Sequence, residues 1–139
     1  MDTPTLLERH LEDGRLFLHA LDEAKFETNA AMWRFDGELS LWRYLLASVV
    51  VNQSGPQIAY RRVLSVLHAH PNLAIDLLTL AVVRADDEFI AALASGIRMD
   101  PGGSGKRLTR NRIHGAYVED AYIYRVQRVA DLTPAMPRR

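Results

Sequence analysis

The chain contains no cysteine, which excludes disulfide staples and thiolate metal sites outright. Long apolar runs are also missing. The longest, Leu45 to Val51, is broken by Ser48 and falls far below the ~20 residues that a membrane-spanning helix needs. Net charge is absent as well: 17 basic and 17 acidic residues cancel, so no overall field of one sign attracts a polyanion. The first residues lack a signal-peptide core, because charges beginning at Asp2, Glu8 and Arg9 interrupt every apolar stretch. Together these absences lead to the expectation of a cytoplasmic protein with no membrane segment. On that expectation the glycosylation-like triplet Asn52-Gln53-Ser54 is a chance match.

What is present describes an ordinary globular chain. At 48% hydrophobic and 24% charged residues in a length of 139, it can bury a core without staples and fits one domain, 1–139. The end, 130–139, holds two prolines and is expected to be a mobile tail.

Residues 5–26 read as a helix, with Leu7, Leu11, Leu18 and Leu21 on one stripe. Gly14 costs about 1 kcal/mol against alanine there and suggests a kink at Asp13-Gly14. Ala30–Phe35 and Leu41–Val51 read as a hairpin across Asp36-Gly37. Alternation puts Trp33, Phe35, Trp42 and Tyr44 on one face and Arg34 and Arg43 on the other. An aromatic face of this kind, with Met32 beside it, serves equally as core or as a homodimer interface.

Gly55-Pro56 starts a second helix, with proline preset for its first position, and Pro71 bounds it. Leu77–Arg84 reads as a central buried strand, with a buried helix as the alternative. Asp86-Asp87-Glu88 opens a helix over Phe89–Arg98, with Asp86 as the expected cap. After the loop Pro101–Gly105, Leu108–Ile113 and Val118–Val129 read as strands joined at His114-Gly115. In the last of these, Tyr122, Tyr124 and Val126 are expected on one face, with Ile123 and Arg125 on the other. The fold class is therefore α+β, in the order α-β-β-α-β-α-β-β. It comprises a mainly antiparallel five-stranded sheet with about three helices on one face.

Charge is unevenly spread. Residues 1–27 carry three basic and seven acidic groups, whereas 98–139 carry nine and four. The basic end concentrates on Lys106, Arg107, Arg110, Arg112 and Arg125, the candidate binding residues. Arg110 and Arg112, two apart in a strand, are expected to share a face. Such guanidinium rows suit a carboxylate-rich partner, a phosphate backbone, or the acidic first helix of the same chain.

Catalytic constellations are thin. The sequence Gly102–Lys106 fails as a phosphate loop, because Asp100 and Arg107 stand where glycine and a hydroxyl residue are required. The five histidines, at 10, 19, 68, 70 and 114, show no chelate spacing, so no metal and no cofactor is expected. One enzyme reading survives: His114 with Arg110, Arg112, Tyr122 or Tyr124 as a metal-independent RNase-like site. The leading expectation is a small bacterial-type interaction or accessory protein (an antitoxin, immunity protein or complex subunit). It would bind a protein or another macromolecule through its sheet and basic C-terminal hairpin, or form a homodimer through the aromatic face, with nucleic acid as the competing ligand.

Overall fold

The computed structural model describes residues 6, 8–99 and 105–131. The expected mobile tail lies outside the described residues from 132 onward, as does the loop from 100 to 104.

Helix α1 runs Glu8–Glu23 and buries Phe17, Leu18 and Leu21 at helical spacing. It does not break at Gly14. That glycine is buried in the helix and serves close packing, as the aromatic contacts below show. Strands β1 (Ala30–Asp36) and β2 (Leu41–Ser48) form the expected hairpin. Its turn is built by Asp36, whose Oδ1 accepts the backbone N–H groups of Glu38 and Leu39 at 3.0 and 3.1 Å. The register sets Trp33 against Tyr44, Phe35 against Trp42, and Arg34 against Arg43, so the aromatic and arginine faces separate as alternation requires.

The second strand ends three residues before the expected Val51. Val49–Ser54 is a short helix, α2. Ser48 caps it, with Oγ accepting from Val50 N at 3.0 Å while donating to the Glu27 carbonyl. A capping serine thus overrides the β propensity of three valines. Helix α3, Pro56–His68, follows with proline in its first turn and Ala59, Val63 and Leu67 buried.

Strand β3 is only Leu80–Arg84. Asp76 accepts from Thr79 N and Oγ1, both at 3.0 Å, which makes 77–79 a turn and leaves Leu78 83% exposed. Helix α4, Glu88–Gly96, is capped by Asp87 through Phe89 N and Ile90 N. The expected cap Asp86 instead bonds Arg84 and Asn52. Strands β4 (Lys106–Ile113) and β5 (Ala116–Val126) close the chain before a single 3-10 turn at Val129–Asp131.

The five strands lie in the order β3-β2-β1-β5-β4. The sheet is mixed and not the mainly antiparallel one expected: β3 runs parallel to β2 because α2 and α3 form the crossover between them. Four α-helices are present among the described residues, against about three expected. They also cover both faces of the sheet. One cluster packs α1 and α3 on Trp33, Tyr44 and Leu46. The other packs α4 on Met32, Leu45, Ile123 and Val118.

Three polar groups of the sheet fasten α1. Trp33 Nε1 donates to the His10 carbonyl at 2.8 Å, Tyr44 Oη to the Gly14 carbonyl at 2.7 Å, and Tyr124 Oη to the Leu11 carbonyl at 2.6 Å. Buried indole and phenol groups need such partners. At the far end of the sheet, Asn29 is 2% exposed. Its Nδ2 donates to Ala85 O and Gln127 O at 3.1 and 3.2 Å, tying β3 and β5 to the start of β1.

Candidate functional site

The C-terminal hairpin closes on His114 and Gly115, whose φ angles are 46° and 89°. Two consecutive left-handed residues make the primed two-residue turn that matches the twist of an antiparallel pair. This brings Lys106, Arg107, Arg110 and Arg112 onto one edge of the sheet, since β4 is its outermost strand, while Arg125 stands on the interior strand β5.

Two of the five candidate cations are neutralised within the molecule. Arg107 makes a two-pronged pair with Asp120, at 2.7 and 2.9 Å, and its guanidinium lies 5.8 Å from the Trp42 ring. The bond to Asp120 raises its guanidinium pKa further. Arg125 reaches the acidic first helix, pairing with Asp22 at 3.0 and 2.7 Å and with Thr28 O at 3.1 Å. It gets there through a bulge between the Ala31 and Met32 partners. Arg125 therefore joins Tyr122 and Tyr124 on the α1 side, and Val126 turns to the α4 side. Simple alternation assigned both the other way; an inserted residue reverses the phase.

Lys106, Arg110 and Arg112 have no ion-pair partner among the described residues. Arg110 has a φ of 44°, and its cross-strand pairing with Glu119 is missing from an otherwise even register. Val118 consequently lies in the same cluster as Ala121, three residues away. The expectation that Arg110 and Arg112 share a face by alternation does not carry through this irregularity. Both still act on one neighbour, Tyr117. The Arg112 guanidinium stands 5.5 Å from the Tyr117 ring, and Tyr117 Oη donates to Glu119 Oε1 at 3.1 Å. Partial removal from water is the largest cause raising the Tyr117 pKa, followed by the Glu119 bond, while Arg110 and Arg112 oppose the rise.

The residues of the alternative RNase-like site are not brought together. His114 packs against α4, where a Cβ on Gly96 would stand 2.7 Å from His114 Cδ2. Tyr122 and Tyr124 belong to the opposite face of the sheet, and the Tyr124 hydroxyl is occupied by Leu11 O. Among the described residues no three His, Asp or Glu side chains converge as metal ligands. A cleft of ≈ 300 Å³ between the end of α4 and the end of β5 is lined by residues that include Arg98, Met99, Val126, Gln127 and Arg128.

Asp120 controls how much charge the hairpin shows. Its side chain is 12% exposed and that of Arg107 is 46% exposed, so Arg107 stays solvated if the pair is broken. Asp120→Asn is expected to cost about 1 kcal/mol while tightening the binding of a polyanion, because one more cation becomes available. Paired denaturation and binding titrations check this; weaker polyanion binding would show that Arg107 adds nothing to the surface.

No protein-family model, curated protein or solved structure matches this chain.

Proposed function

We propose that the protein is a non-catalytic interaction module that binds an acidic macromolecular partner through Lys106, Arg110 and Arg112 of the C-terminal hairpin. The observation that carries this reading is Arg110. A non-glycine residue in left-handed backbone costs roughly 1–2 kcal/mol. Here it sits in the middle of an edge strand, and its guanidinium has no ion-pair partner among the described residues. Observed strain of this sort is a reasonable pointer to function. Exposed charge alone is the default of any surface, but the fold supplies internal carboxylates to Arg107, from Asp120 of the hairpin, and to Arg125, from Asp22 of α1, and none to the other three among the described residues.

The test is titration calorimetry with a glutamate-rich peptide and, separately, a single-stranded oligonucleotide. Peptide binding is expected to weaken as salt rises from about 0.01 to about 1 M, which cuts the Debye length from about 30 to about 3 Å. The double change Arg110→Ala, Arg112→Ala is expected to weaken it about tenfold, at up to about 1 kcal/mol per exposed pair. Arg84→Ala, on the opposite edge of the sheet, serves as the control. Unchanged affinity in the double variant, or preference for the oligonucleotide, would overturn the reading.

A further inference from the structure

The sheet has two edge strands, and they shield their outer backbone groups in different ways. In β3, the Thr79 carbonyl faces β2 by accepting Tyr44 N at 2.8 Å. Alternation then turns the backbone groups of Leu80, Val82 and Arg84 outward. These are largely taken. Leu80 N donates to Asp76 O at 3.1 Å, and Arg84 O accepts from Asp87 N at 3.1 Å. Leu80 O accepts from Arg43 Nη2 at 2.6 Å, and Val82 N donates to Tyr60 Oη at 3.0 Å. Another chain has little left to pair with there.

Strand β4 is different. Apart from its ladder with β5, none of its backbone groups has a hydrogen-bond partner among the described residues. What protects it is charge: four of its eight residues are Lys or Arg. Charged side chains are a common way to stop edge-to-edge aggregation. They do so selectively. A second copy of β4 would set cations against cations, and like charges directly opposite each other are destabilising. An acidic strand meets no such barrier.

We infer that the partner adds to the sheet as an extended acidic segment hydrogen-bonded along β4, a proposal that rests on the reading of the hairpin as the binding surface. The irregularity at Arg110 limits where it docks. The longest even stretch is Lys106–Thr109, four residues that span roughly 13 Å of strand. Lys106 and Leu108 pair with Ile123 and Ala121 on the α4 side, and Arg107 and Thr109 pair with Tyr122 and Asp120 on the α1 side. The partner therefore presents a carboxylate beside Lys106 and an apolar or β-branched side chain beside Leu108. Its next acidic groups reach Arg110 and Arg112 beyond the irregularity. Main-chain bonds supply affinity and alternate side chains supply selectivity, as in other strand additions.

The probe is a synthetic peptide of alternating glutamate and valine, compared with two derivatives N-methylated on alternate amides in the two possible registers. Only one register removes donors that face β4. That derivative is expected to bind at least about tenfold more weakly, since several hydrogen bonds are lost at about threefold each, while the other matches the parent. Amide exchange at Lys106–Thr109 is expected to slow when the parent peptide binds. If both derivatives bind like the parent, strand addition is wrong while the basic hairpin remains a binding surface. If no acidic peptide binds at any salt concentration, both proposals fail. Tighter binding of a single-stranded oligonucleotide overturns the acidic strand as the occupant.

Discussion

Gly14→Ala is expected to lower the melting temperature by about 8 °C, although alanine is the better helix former by about 1 kcal/mol. Gly14 lies in α1 where the helix presses on the aromatic face of the sheet. A methyl group there would stand 2.7 Å from Trp33 Nε1 and 2.8 Å from Tyr124 Cζ, and closer still to the Tyr124 hydroxyl. Neither ring can step aside freely. Trp33 is held by His10 O and Tyr124 by Leu11 O, and Trp33 is also packed edge-on against Tyr44 at 5.2 Å. Overpacking of this kind costs about 1–3 kcal/mol, and each displaced hydrogen bond adds about 1 kcal/mol. The net loss is about 2 kcal/mol for alanine and about 4 kcal/mol for the bulkier Gly14→Val. Gly37, where an added Cβ meets nothing within 4 Å, gives the control: Gly37→Ala is expected to be close to neutral. Urea denaturation of the three variants checks the order. A stabilised Gly14→Ala would show that propensity outweighs close approach, and that α1 does not seat on the rings as described.

The same glycine shows what was legible in the sequence and what was not. Helical spacing of Leu18 and Leu21 located α1, but spacing says nothing about how near a helix lies to the next layer. Gly14 therefore read as a flaw, whereas its missing side chain lets three helix carbonyls accept bonds from the sheet. Alternation placed Trp33, Phe35, Trp42 and Tyr44 correctly because β1 and β2 pair without a slip. It failed on β5, where two irregularities reverse the phase, one opposite Ala31 and one at Arg110. A period-two pattern carries no mark of an inserted residue. Likewise Val49–Val51 carries strand propensity, and only the cap at Ser48 reveals a helix.

The candidate site was legible as a concentration of charge but not as a circuit. The sequence singled out Lys106, Arg107, Arg110, Arg112 and Arg125 and allowed that the acidic first helix could claim some of them. Asp22 does claim Arg125, while Asp120, on the neighbouring strand, claims Arg107. Pairings between residues about a hundred positions apart, such as Asp22 with Arg125, depend on strand order, which composition does not encode. The openness of β4 was only hinted at: four basic residues in eight suit an edge strand, but the strand order that makes it one is not written in Lys106–Ile113.

Above pH about 10, stability is expected to fall steeply, and the cause lies in the contact that Gly14 makes possible. The Tyr44 hydroxyl is wholly buried. Burial, foremost, and then Tyr124 hold its pKa well above 10.0, with Arg125 opposing the rise. Burial likewise raises Tyr124, although the bond with Trp33 works the other way. In the unfolded chain both phenols ionise near pH 10. Because the folded pKa values are raised, the stabilisation is fully present below the unfolded value. It is lost as pH climbs toward the folded value, since the unfolded state then gives up protons that the native state retains. For Tyr44 the slope is about 1.4 kcal/mol per pH unit; Tyr124, only partly buried, contributes less after solvent screening. Between pH about 10 and about 11.5 the combined loss is about 3 kcal/mol, a large part of the 5–15 kcal/mol that holds most domains folded. Tyr44→Phe gives up the bond to Gly14 O, worth about 1 kcal/mol at neutral pH, yet above pH about 10 its stability declines more gently than that of the parent. The two curves therefore converge. Urea midpoints measured across this range test the convergence, with phenolate absorbance following the buried rings, which ionise only as the protein unfolds. Parallel curves for the parent and Tyr44→Phe would mean that the Tyr44 proton is not held by the fold.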